Sequence, residues 1–231
     1  MRNFSQLAFL LILAASTGLA RPAEVIDRIV VTVNGHVILQ SDWDDAVRLE
    51  ALAEGRALNQ ITDQDRSRAL DRLIDQELVR EQGQGAEAPQ PPAAELQQRI
   101  KDIQKQQGAN NPSEWQSALN RYALDEKQVE SWLIRDLSIL HQVEARLRPA
   151  VQVTPQNVEA YYRDTFLPQL RKTGSQEVPL AQVSAQIREI LTQQKVNELF
   201  TSWLQSLREE SNINLPTSSV TPTSPSGGQA P

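Results

Sequence analysis

The stretch I-V-V-T-V-N-G-H-V-I-L-Q-S-D-W-D-D, Ile29 to Asp45, decides how the rest of the chain is read. Ile29–Val33 and His36–Leu39 are rich in β-branched residues, and Asn34-Gly35 between them tolerates the positive φ angles of a type I′ turn. The segment is therefore expected to be a β-hairpin. Ser41 then reads as a helix N-cap with Asp44 at N3. Asp42, Asp44 and Asp45 fall in the first turn, where the helix dipole favours negative charge. Three close carboxylates also suit a metal or an acid–base site, but capping accounts for them without one.

Beyond Asp45 the periodicity is helical almost to the end. Thr62 and Asp65 open a helix with Ala69, Leu70, Leu73, Ile74 and Leu78 on one face, stopped by Gly83. Pro89 to Pro92 form a linker, followed by a polar helix with a Leu96, Ile100 and Ile103 stripe that ends at Gly108. Asn111-Pro112 starts the next helix, carrying Trp115, Leu119 and Tyr122. Asp125 with Gln128 at N3 forms a capping box, flanked by a Leu124–Val129 hydrophobic staple, and that helix runs to Leu147 before Pro149. Thr154-Pro155 caps a helix bearing Val158, Tyr161, Tyr162 and Phe166. A last long helix from about Pro179 carries Val183, Ile187, Ile190, Leu191, Leu199, Trp203 and Leu207.

The short alternating segment Asn212-Ile213-Asn214-Leu215 follows. A two-stranded hairpin is marginal in water, and this segment is the other strand-like stretch in the chain. The expected fold class is thus mainly α: a multi-helix core with a small antiparallel sheet, built from the N-terminal hairpin and a returning C-terminal strand through Ile213 and Leu215. Residues 216–231 are dominated by Pro, Ser, Thr and Gly and are expected to be a disordered tail.

Residues 1–20 read as a secretory signal peptide. Arg2 is the sole charge, Leu7 to Ala15 is apolar, and Gly18 and Ala20 are small residues at the −3 and −1 positions, so cleavage is expected between Ala20 and Arg21. The apolar run is too short to span a bilayer, so no stable membrane insertion is expected. The whole chain has 23 Lys and Arg against 29 Asp and Glu. Without Arg2 the balance is 22 to 29, a net charge of −7, which disfavours nucleic acid as a partner. With no cysteine, an exported chain must be held by packing alone. Residues 21–215 are enough to bury a core.

No catalytic constellation is visible. Thiol chemistry is excluded, and no nucleophile elbow, phosphate loop or dinucleotide fingerprint is present. His36 is expected to be solvated and His141 to pair with Glu144 on its own helix, so no metal and no cofactor are expected. The aromatics Trp43, Trp115, Trp132, Tyr161, Tyr162, Phe166 and Trp203 lie at amphipathic positions. Each suits an ordinary core. Few large aromatics over many helices also suit an open shape whose groove walls accept apolar side chains of a partner polypeptide.

EVIDRIVVTVNGHVILQSDWDDAVRL, RALDRLIDQELVREQ, VTPQNVEAYYRD and VPLAQVSAQIREILTQQKVNELFTSWLQSLREESNINL together resemble SurA-type periplasmic chaperones. The resemblance covers nearly all of residues 21–215 as one core. It implies a periplasmic, ATP-independent chaperone whose clients are unfolded polypeptides such as outer-membrane protein precursors. The amphipathic aromatics Trp43, Trp115, Trp132, Tyr161, Tyr162 and Phe166 are then the candidate peptide-binding residues. Relatives carry parvulin prolyl-isomerase domains between the Tyr-Tyr helix and the last helix. Here Phe166 to Val178 fills that gap, against ~100 residues for a typical domain, so the chain is expected not to be an enzyme. A prolyl isomerase by family membership and a non-catalytic dimerisation or scaffold module remain the alternatives. A homodimer is open, since helices with apolar stripes can exchange between protomers.

Overall fold

The computed structural model describes residues 27–83 and 90–216. The signal segment with its Ala20/Arg21 junction, and the tail beyond Pro216, lie outside the described residues. β1 (Ile29–Val33) and β2 (His36–Leu39) form the hairpin, with Asn34 at φ 49° and Gly35 at φ 91° in the turn. β3 (Ile213–Asn214) joins antiparallel to β1, pairing Thr32 with Asn214 and Val33 with Ile213, so the strand order is β2-β1-β3. Leu215 does not extend this strand as expected: it is 66% exposed and faces no strand partner. The closure is reinforced outside the ladder. Asn34 N–H donates to the Asn212 carbonyl at 2.9 Å, and Asn212 N–H returns a bond to Asn34 Oδ1 at 2.8 Å.

The helices are α1 (Gln40–Glu54), α2 (Asp63–Gln82), α3 (Ala93–Gln106), α4 (Pro112–Arg121), α5 (Glu126–Leu147), α6 (Pro155–Tyr161), α7 (Leu167–Lys172) and α8 (Leu180–Glu210). Thr62, Asn111, Asp125 and Thr154 cap α2, α4, α5 and α6 through their side chains, as local sequence dictates. α1 begins earlier than expected. Its N-cap is Leu39, still extended as the last residue of β2, and Leu39 N–H donates to Asp42 Oδ2 at 3.1 Å. Ser41 instead donates both its N–H and its hydroxyl to Asp27. The first-turn acids therefore divide their work: Asp42 caps, Asp44 accepts from Arg66 at 2.5 Å, and Asp45 accepts from Arg48.

The single helix expected after Thr154 is interrupted by a π turn over Tyr162–Phe166. Pro168 has no N–H for the carbonyl of Asp164, and its ring would clash there; one widened turn relieves both problems.

Two clusters form the core. In the first, Leu49 and Leu52 of α1 meet Ile100 and Ile103 of α3, Trp115 and Leu119 of α4, Leu124, and Val129 and Leu133 of α5. The second puts one face of the sheet (Val31, Val33 and Ile38) against Ile74 and Leu78 of α2 and Leu207 of α8. α8 buries Ile187, Val196 and Leu207 but leaves Ile190 at 42% and Leu199 at 40% exposure, so its apolar residues are not one buried stripe. It touches α6, α2 and α5, and no single face serves all three contacts.

Candidate functional site

A cavity of about 460 Å³ forms a slot between β2 and α5 over the surface of α2. Val37 and Ile38 border it on one side. Leu73, Gln76, Glu77 and Arg80 of α2 form its floor, and Ile134, Arg135, Ser138, Ile139 and Gln142 of α5 its far wall. Val37 is 47% and Ile134 39% exposed, so apolar surface faces the slot without being covered. A second cavity of about 250 Å³ continues from it, sharing Asp42, Leu73 and Arg135 and adding Trp132, Gln128 and Leu49. A third, of about 320 Å³, lies on the other side of α2 among Val79, Ile139, Leu140, Val143, Val196, Phe200 and Leu204. All three are open to the surface, with aliphatic side chains interspersed among polar and charged ones in their walls.

The charges around the slot are mostly satisfied internally. Arg80 donates to Glu77 Oε1 at 2.6 Å, which holds the Glu77 carboxyl below its ordinary pKa. Asp42 is committed to the Leu39 N–H. Arg135 forms no ion pair among the described residues. Burial pushes up the carboxyls of Asp136 and, despite Arg208 beside it, of Asp75. His36, Glu77 and Glu81 bring their ligand atoms within 4.8 Å of one another, a grouping the sequence alone did not suggest. Arg80 also lies 3.3 Å from His36 Nε2, and Glu81 accepts from Asn34 at 2.6 Å, so cation and donors of the chain itself already occupy this group. His141 pairs with Glu95 of α3 at 2.9 Å rather than with Glu144, because α3 packs against α5; Glu144 accepts from Arg148 instead.

The aromatics singled out from sequence are not gathered in one groove. Trp115 is 5% exposed inside the first core cluster and offers no surface to a partner, which corrects its place among the binding candidates. Trp43 is a clasp between helices: its Nε1 donates to the Arg66 carbonyl at 2.8 Å and the Arg66 guanidinium sits 4.8 Å above the ring. Trp132 lines the second cavity and leans on the first cluster. Tyr162 and Phe166 stack at 5.8 Å, with the Tyr162 hydroxyl donating to the Val178 carbonyl at 2.9 Å. Tyr161 faces α8 across a separate cavity with Leu191 and Lys195. Trp203 lies under the Arg146 guanidinium, 4.8 Å from its ring.

The slot walls Val37, Leu73, Ile134 and Ile139 were not distinguished as a site by sequence. Ile134 carried a usable signal, since it follows Leu133 and falls off the Val129, Leu133, Leu137 stripe that the helix buries. Among the described residues, no helix is long and apolar enough to cross a membrane.

A family model for the SurA-like N-terminal domain matches residues 2–143. The chain is similar to the Chaperone SurA of Pectobacterium atrosepticum, 28% identical over 216 residues that cover 90% of this chain and 48% of that protein. It is 26% identical over 204 residues to the Chaperone SurA of Salmonella typhimurium and to that of Escherichia coli O6:H1, covering 86% of this chain and 45% of each. The chain thus spans about half the length of the curated relatives it matches.

Proposed function

The chain belongs to the SurA-like N-terminal domain family, and from that premise we propose that it is a periplasmic chaperone that holds unfolded polypeptides, outer-membrane protein precursors among them, without ATP. The observation that carries this reading is the run of uncovered aliphatic walls along α5, open on both sides of α2. Reversible burial of client apolar segments in such walls needs no nucleotide and no catalytic group. The acidic surface keeps the loaded complex in solution. Of the aromatics, Trp132, Tyr161, Tyr162, Phe166 and Trp43 are offered as client contacts, with Trp115 assigned to the core. Export implies that the mature chain starts at Arg21, which N-terminal sequencing of exported material checks.

No observation favours prolyl isomerisation: residues 173–179 alone connect α7 to α8. The test is dilution of a urea-unfolded outer-membrane protein into buffer with the mature chain and no ATP. Light scattering should rise more slowly than without it, while isomerisation of a short prolyl peptide should keep its uncatalysed rate. Scattering that rises at the same rate with and without the chain would replace this reading with a scaffold role.

A further inference from the structure

We propose that client segments bind by adding a β-strand to the free edge of β2, inside the slot between β2 and α5. This rests on the chaperone reading and specifies its mode of recognition. β2 is an edge strand, since the order is β2-β1-β3. With a two-residue turn, the flanking pair Val33–His36 exchanges both backbone bonds, and pairs alternate from there: Thr32–Val37 is not bonded and Val31–Ile38 is. Val37 therefore points its N–H and C=O away from β1. Neither has a hydrogen-bond partner among the described residues. The next outward group, Leu39 N–H, is already taken by Asp42.

The cavity lies where such a strand would go. It touches Val37 and Ile38, neighbours whose side chains leave β2 on opposite faces, and it touches no residue of β1 or β3. A space bordered in that way runs along the strand's edge rather than over either face. Among the described residues, no lysine, proline or covering loop blocks this short edge at Val37, which is 47% exposed.

Charge fixes the occupant further. Glu77 is neutralised by Arg80 and Asp42 serves the α1 start, which leaves Arg135 on the α5 wall as the cation without an ion pair among the described residues. The fitting occupant is an extended stretch of unfolded chain with apolar residues at alternate positions and a carboxylate on the side facing α5. Its backbone supplies the two bonds Val37 offers, and its apolar side chains rest on Leu73, Ile134 and Ile139.

The probe is a fluorescein-labelled peptide of alternating valine and threonine with one glutamate, added to the mature chain. Its affinity is read by anisotropy and the exchange of the Val37 amide by NMR. Binding should slow Val37 amide exchange about tenfold or more. N-methylation of the peptide residue opposite Val37 should weaken binding about tenfold, as expected for losing a paired backbone bond. Arg135→Gln should weaken the glutamate peptide and leave its glutamine analogue unchanged, and Val37→Lys, at an exposed position, should weaken both. Binding that tolerates every N-methylation and leaves Val37 exchange unchanged overturns strand addition while the chaperone reading stands. A chain that delays client aggregation but does not bind the peptide overturns it equally. Failure of both peptide binding and aggregation suppression removes the chaperone reading itself.

Discussion

Ending the chain at Ser211 removes β3 and the two Asn212 backbone bonds to Asn34, and with them the third strand of the sheet. The loss can be built up from its parts. The Asn212–Asn34 pair and the two-residue ladder to Thr32 and Val33 are partly exposed, so together they contribute about 2 kcal/mol. Ile213 is half-buried against the second core cluster and adds about 1 kcal/mol. The sum of about 3 kcal/mol corresponds to a fall in Tm of roughly 6–12 °C for a domain of this size, read by far-UV circular dichroism. A companion substitution tests the same contacts from the other side. Asn34→Gly keeps the positive φ of 49° but loses the side-chain bonds to Asn212, Ser211 and Glu81. It should cost about 1–2 kcal/mol in the full chain and distinctly less in the truncated one, where the Asn212 bond is already gone. An unchanged Tm on truncation, or an equal Asn34→Gly cost in both backgrounds, would show that the returning strand carries no stability.

Three further outcomes are expected. Trp115→Ala should lose about 3–5 kcal/mol in urea unfolding, whereas Trp132→Ala should lose less stability and weaken client holding; equal losses of both in both assays would place Trp132 in the core too. Asp136 is raised by burial, so its charge opposes folding by an amount that grows as the pH rises from 3.8 and is complete above the folded pKa. Asp136→Asn should therefore raise Tm at pH 7, with the gain shrinking as the pH falls through the acid range, where both states protonate the carboxyl. Asp65 is the reverse case. Bonds from Thr62, then Arg56 and Arg68, hold it well below the ordinary carboxylate range, so its contribution is present above pH 3.8 and is lost as the pH falls below that value. Asp65→Asn should flatten that part of the acid-unfolding curve.

What the sequence made legible is what local chemistry decides. Asn34-Gly35 specifies the hairpin turn, and the capping residues at Thr62, Asn111, Asp125 and Thr154 act on backbone three residues away. The return of Ile213 to the hairpin was legible for a different reason: a lone hairpin needs a third strand. Features set by packing were not legible. The start of α1 depends on where β2 stops, which moved the cap from Ser41 to Leu39. The partner of His141 depends on α3 lying against α5, and Glu95 is remote in sequence. The slot was hidden because its walls come from three elements, and nothing in the period of α5 says that Ile134 will stay uncovered.

The closure of the sheet also sets an order of events during synthesis. The first cluster draws on residues between Leu49 and Leu133, so it can form as soon as that stretch is available. The second joins Val31, Val33 and Ile38 to Leu207 and Ile213, and must wait for nearly the last described residues. Asn34 and Asn212 are 178 positions apart, and closing a loop of that length in a flexible chain costs roughly 4–5 kcal/mol of entropy. A chain emerging from its N-terminus therefore presents the hairpin first and secures it last. During that interval the apolar face of the hairpin is itself an unfolded client in need of cover.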